Sequence, residues 1–167
     1  MPSFRSERRV RHRAEQMFDL VADVERYPEF VPLCTGLRVR TRRPSGEGRQ
    51  TLIADMSVGY KMIRERFTSR VALDRPRLRV LVEYIDGPFS HMENIWTFRN
   101  TPDGERSIIT FFIDYEFRSR FLGSLMGSMF DAAFRKFAHA FEERADKLYG
   151  RADLAPQTAP DPYLPRS

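Results

Sequence analysis

The spacing of apolar residues changes along the chain, and each change predicts an element. Arg5 to Val10 is short and rich in arginine, which reads as an edge strand. From Ala14 to Val24 the apolar residues Met17, Phe18, Leu20, Val21 and Val24 recur at helical spacing and predict a first helix. Pro28 and Pro32 then leave space for only a short helical turn, so Asp23 to Pro32 is expected to form a corner packed through Tyr27, Phe30 and Leu33.

From Gly36 the period becomes two and stays so for roughly eighty residues, broken by turn residues at Pro44-Ser45-Gly46, Asp74-Arg75-Pro76, Asp86-Gly87-Pro88 and Thr101-Pro102-Asp103-Gly104. The pattern predicts an antiparallel meander with one dry and one wet face. Leu52, Ala54, Met56 and Val58 are expected to point inward, with Asp55 and Ser57 outward. Ile63, Phe67, Val71 and Leu73 are likewise set against Arg64, Arg66, Thr68 and Arg70. Later strands offer Leu78-Val80-Val82-Tyr84, Met92-Asn94-Trp96-Phe98 and Ile109-Phe111-Ile113-Tyr115-Phe117 to the inside.

A final helix is predicted from about Phe121 to Tyr149, with an apolar stripe of Leu122, Met126, Met129, Ala133, Phe137, Phe141 and Leu148. Beyond Gly150, four prolines and little apolar content predict a disordered tail, giving a domain over 1–149 and a Pro-rich tail over 150–167. The fold class expected is α+β. A curved antiparallel sheet wraps around the long C-terminal helix, with two short helices after the first strand.

Two features favour an internal cavity over a solid core. Glu65 and Ser69 fall in the inward set of their strand, and Asn94 lies beside Trp96; a buried polar group is costly unless matched by water, a basic group or a bound polar headgroup. An arginine on a neighbouring strand, or a register one residue off, would also satisfy Glu65. The start of the last helix, Phe121 to Phe130, is apolar or small all round. This suits an adaptable wall or mouth for an apolar ligand, or a helix end covered by loops.

Composition narrows the chemistry. The 167 residues carry one cysteine, Cys34, which permits no internal disulfide and predicts a reducing, bacterial-type cytoplasm. No run of apolar residues is long enough for a membrane span, and the N-terminus lacks the features of a targeting segment. The net charge of +5 comes almost wholly from arginine spread along the chain, and reads as a solvated surface before it reads as a phosphate-binding site. His12, His91 and His139 have no metal-ligand spacing, and Cys34 has no basic neighbour to activate it.

The segment from Phe18 to Cys34, FDLVADVERYPEFVPLC, resembles the coenzyme Q-binding protein family within the START-like (polyketide cyclase/dehydrase and lipid transport) superfamily. Gly87-Pro88-Phe89, the strand Met92 to Phe98 with Trp96, and the Phe/Met-rich last helix extend the resemblance over about residues 3–149. Leu33 departs from the tryptophan many members carry there. The resemblance implies a helix-grip fold with a hydrophobic tunnel, and a ubiquinone chaperone or carrier that supports respiratory electron transport and quinone biosynthesis. It implies no catalysis and no catalytic cofactor; ubiquinone would be a bound ligand. Bacterial members also bear the description ribosome association toxin, proposed to bind the large ribosomal subunit and block subunit joining. A peripheral place at the inner membrane suits delivery of a long prenyl tail.

On this reading the ligand-binding residues are Tyr27, Phe30, Met56, Glu65, Phe67, Val71, Val82, Asn94, Trp96, Phe111, Ile113, Leu122, Met126, Met129, Phe130 and Ala133. Each prenyl unit buried contributes up to about 3 to 4 kcal/mol before ordering costs. A cyclase would need Glu65 as a cavity base, and a ribosome binder would use surface arginines such as Arg40, Arg42 and Arg43 on phosphate.

Overall fold

Every strand among the described residues enters one antiparallel sheet, whose order β1-β7-β6-β5-β4-β3-β2 is read from a computed structural model that describes residues 3–150. The strands are β1 (Ser3–Val10), β2 (Cys34–Gly46), β3 (Arg49–Tyr60), β4 (Ile63–Asp74), β5 (Arg79–Asp86), β6 (Phe89–Asn100) and β7 (Ser107–Phe117). From β2 to β7 each strand pairs with the next. The first strand closes the sheet against the last, Val10 facing Ser107 and Ser3 facing Asp114. Register shifts at three places in β2, at Thr68/Ser69 and at Phe89/His91 mark where the sheet bends. The tail assigned to 150–167 lies outside the described residues apart from Gly150.

Helix α1 (Ala14–Ala22) follows β1 and buries Ala14, Met17, Phe18, Leu20 and Val21. Its first turn is tied down by side chains: Gln16 Oε1 accepts from the Arg13 amide at 3.1 Å, and Asn100 Oδ1 accepts from the Ala14 amide at 2.8 Å. A 3-10 turn (Val24–Glu29) is all that Pro28 allows. The corner then runs through Leu33, whose φ of 69° lies in the left-handed region, and the Gly59 amide donates to its carbonyl at 3.0 Å. Two short helical segments after β1 are therefore present as expected.

Helix α2 (Arg120–Tyr149) has 30 residues, about 45 Å of axis, and begins at Ser119, whose hydroxyl accepts from the Leu122 amide at 3.2 Å. It buries Met126, Phe130, Ala133, Phe134, Ala138, Phe141 and Ala145 and rests on β1, β7 and α1. Leu148, assigned to the stripe from its spacing, is exposed, because the sheet ends before the helix does. The first turns are not covered by loops: Phe121 and Leu125 stand in solvent.

The outer face of the sheet departs from the alternation rule at one place. Asp55 and Thr68, expected to be wet, are buried and face each other across β3 and β4. The bulge between Val39 and Thr41 brings Arg40 over them: its Nε donates to Asp55 Oδ2 at 2.8 Å, while the Thr68 hydroxyl donates to Asp55 Oδ1 at 2.5 Å.

Candidate functional site

Between α2 and the inner face of the sheet lies an apolar cavity. The corner and β2 supply Val24, Tyr27, Val31, Pro32, Leu33 and Leu37 to its wall. The sheet supplies Ala54, Met56 and Val58 from β3, Phe67, Ser69 and Val71 from β4, Val80 and Val82 from β5, Phe89, Met92, Asn94 and Trp96 from β6, and Phe111 and Ile113 from β7. Helix α2 closes it with Phe130, Ala133, Phe134, Phe137 and Phe141. The cavity volume is about 90 Å³. The hydrophobic tunnel implied by the family resemblance is thus, in this conformation, a narrow apolar cavity.

Of the residues expected to bind ligand, Tyr27, Met56, Phe67, Val71, Val82, Asn94, Trp96, Phe111, Ile113, Phe130 and Ala133 line this cavity. Five others stand elsewhere. Phe30 packs edge-on against Phe141 with ring centroids 5.0 Å apart, and the Arg144 guanidinium covers it from outside. Glu65 lies opposite Val58 near the β3–β4 turn, beyond the end of the cavity, so the inward face of β4 carries it past the space it was expected to enter. Met126 is fully buried in the contact of α2 with the core, while Leu122 and Met129 are half-buried on that helix; none of the three reaches the cavity, because α2 turns its Phe130, Ala133 and Phe137 edge to it.

Ala54, Val58, Val80 and Met92 belong to inward sets that were legible in the alternation, and Phe134, Phe137 and Phe141 continue the helical stripe from Phe130. Val24 stood in the first helical set and Leu33 in the expected corner, whereas the contributions of Val31, Pro32, Leu37 and Phe89 carried no such signal. They depend on how the corner folds back over the sheet.

Polar groups in the wall are few and mostly committed. The Asn94 amide donates to the Phe112 carbonyl at 2.8 Å and accepts from the Trp96 indole at 3.1 Å. The Tyr27 hydroxyl donates to the Val21 carbonyl, and burial pushes its phenol well above the ordinary value. The Ser69 hydroxyl alone among the wall's polar side chains makes no hydrogen bond within the described residues. Cys34 lies outside the wall, and burial pushes its thiol up to about 11, which keeps it protonated and inert at neutral pH. Among the described residues no cluster of His, Cys, Asp or Glu is placed to hold a metal ion, and no helix is long and apolar enough to cross a membrane.

A curved antiparallel sheet holding an apolar cavity under one long helix defines the START-like class. The chain belongs to the family described as polyketide cyclase / dehydrase and lipid transport, whose model matches residues 10–142. Within it, the chain is 30% identical over 151 residues to the ribosome association toxin RatA of Rickettsia prowazekii, covering 89% of this chain and 99% of that protein. It is 33% identical over 143 residues to the mitochondrial coenzyme Q-binding protein COQ10 homolog B of Xenopus laevis, covering 84% of this chain and 56% of that one. The solution structure of an 18 kDa protein from Caulobacter crescentus superposes with a TM-score of 0.72 at 33% identity, covering 90% of this chain and 99% of its own.

Proposed function

We propose that the protein binds a prenylated quinone, ubiquinone or a close relative, and carries it between membrane and protein partners without transforming it. The observation that carries this reading is the cavity wall. It is aliphatic and aromatic on every side, and its one unpartnered polar group, Ser69, suits a single hydrogen bond to a quinone carbonyl. Glu65 is outside the wall, and no carboxylate or imidazole lines it, so the wall offers no base for cyclisation. The similarity to a coenzyme Q-binding protein supports the same ligand class.

Small-molecule pockets usually enclose at least about 300 Å³. Loading therefore requires the wall to part. Met56 and Met92 have the flexible side chains for it, and Phe137 is only half-buried. A few prenyl units inside would give tight binding, with the rest of the tail outside.

Organic extraction of the purified protein and mass spectrometry of the extract test this reading. A prenylquinone is expected from the wild type and not from Val71→Lys, whose folding is checked by circular dichroism; Val82→Lys, at a half-buried wall position, is the second variant. No quinone in the extract, together with no quenching of Trp96 fluorescence by added short-chain quinone, would overturn the proposal.

Similarity to a ribosome association toxin over almost its full length supports a second reading, binding to the large ribosomal subunit. Two of the arginines suited to it are committed within the fold: Arg40 to Asp55, and Arg42 to Gln50 and Glu25. Arg43 makes no ion pair among the described residues, so salt-dependent ribosome binding is expected to fall with Arg43→Ala if this reading holds.

A further inference from the structure

Of the seven large apolar side chains that stand exposed among the described residues, five gather at one end of the molecule. The β3–β4 turn, the β5–β6 turn, and the step from β7 into α2 all lie at the same end of the sheet, since Gly59 bonds to the corner at Leu33 and Arg118 donates to the Pro88 carbonyl at 2.9 Å. At this end Met62 is 94% exposed, Phe121 73%, Leu125 48% and Tyr60 45%, with Ile85 close behind. The β3–β4 tip also projects. Five residues of β4 precede its first rung with β5 at Thr68, so the turn stands about 17 Å past it. Three strand spacings, about 14 Å along the sheet, separate β4 from β7, so the two apolar points are distinct.

Charge accompanies this apolar rim. Lys61, Arg64, Arg66, Arg118 and Arg120 occupy the same end, and none pairs with a carboxylate among the described residues; Glu65, Asp86 and Glu116 are the acids beside them. Arg64 is held in place by its own turn, donating to the carbonyls of Lys61 at 2.9 Å and Ile63 at 3.2 Å. The cavity reaches this end through Leu33, Val58, Phe89 and Phe130.

Exposed methionine and phenylalanine at two separated points, with unpaired cations between and behind them, match a bilayer surface bearing anionic lipid. The apolar side chains enter among the acyl chains and the cations stay at the headgroups. A protein partner is expected to cover a more continuous apolar patch than two separated points, and a nucleic acid, though its bases stack on an exposed ring such as Phe121, has little use for Met62 and Leu125. We propose that the β3–β4 tip and the first turn of α2 form a membrane-docking surface that sets this end of the cavity wall against anionic lipid. The surface gives the carrier reading its point of exchange and rests on that reading for its purpose, though not for its evidence.

Flotation of the full chain with vesicles of phosphatidylcholine alone, or with 30% phosphatidylglycerol, tests it without any quinone present. The wild type is expected to float with the anionic vesicles and to be released as salt rises. Met62→Asp with Phe121→Asp is expected to lower partitioning at least tenfold, whereas Leu148→Asp, an exposed apolar position at the opposite end, leaves it unchanged. Both replaced side chains are exposed, so the fold is kept. A wild type that ignores anionic vesicles, a double variant that still floats, or a loss equal to that of Leu148→Asp overturns the proposal. So does a wild type that cosediments with ribosomes, ignores vesicles and loses the ribosome in the double variant. Quenching of Trp96 by a soluble short-chain quinone is read separately in the same variants. Its failure in every form, with flotation intact, removes the quinone and leaves the docking surface standing.

Discussion

Asp55 shows how one residue can reverse a face of the sheet. Burial pushes its carboxyl up, but the Thr68 hydroxyl and the Arg40 guanidinium outweigh that and hold it below its ordinary value. Because the folded form titrates lower than the unfolded one, the stabilisation is complete above about pH 5, where the unfolded carboxyl is almost fully ionised. It fades as pH falls further, toward the folded value. Asp55→Asn is therefore expected to cost about 1 to 2 kcal/mol at neutral pH, half-exposed Arg40 screening part of the pair. The gap in melting temperature to wild type should close below pH 4; a gap that stayed constant with pH would show that the charge contributes nothing. Strict alternation could not have revealed this site. It assigns both residues to solvent, and only the β2 bulge, which leaves no trace in apolar spacing, brings Arg40 over them.

At the scale of elements, the approach of the β5–β6 turn to β4 shapes the cavity wall. A Cβ on Gly87, at φ +145°, would lie 2.5 Å from the Cβ of Phe67 and 2.9 Å from its Cα, so any side chain there must push β4 aside. Gly87→Ala is expected to destabilise by about 2 to 4 kcal/mol from strain and overlap together. In Gly127→Ala, where the added methyl meets nothing within 4 Å, helix propensity should instead stabilise by roughly 0.5 to 1 kcal/mol. Urea unfolding of the pair decides, and equal effects would mean that the close approach is not rigid. The strands, their inward sets and the extent of α2 were legible because each rests on a regular period. The facing of α2 was legible only in part: a seven-member stripe drawn from spacing included Leu148 and passed over Phe134, since the helix overhangs the sheet at one end and the contact surface follows the sheet's curvature. The corner was legible as a corner, through its two prolines, and Tyr27 was expected in the site, but Val24, Val31, Pro32 and Leu33 were not. Its role there comes from Tyr27 and Phe30 packing on Phe141, at 5.4 and 5.0 Å, a contact between segments more than a hundred residues apart.

For the whole molecule, the cavity is smaller than a prenylated quinone, so on the proposed function opening and binding are separate events. The rate of quinone loading, followed by Trp96 fluorescence, is expected to level off as quinone concentration rises, at a ceiling set by the parting of α2 from β3 to β5. A rate that climbed linearly throughout would mean that the space is already available. How far the fold must loosen for this depends on the half of the sheet that α2 does not hold. That helix is anchored on β1 and β7, with His12 Nε2 2.7 Å from Asp146 and Arg8 Nε 2.7 Å from Glu142 securing its second half. The same arrangement has a consequence for the order of assembly. The strand synthesised first has its only sheet partner in the strand synthesised last, so Ser3 to Val10 waits for Ser107 to Phe117. Until then a meander of five strands holds a bare apolar face with neither β1 nor α2 to cover it. Closing that loop carries the entropy of about a hundred residues, which makes the seating of the N-terminal strand a slow and late step of folding.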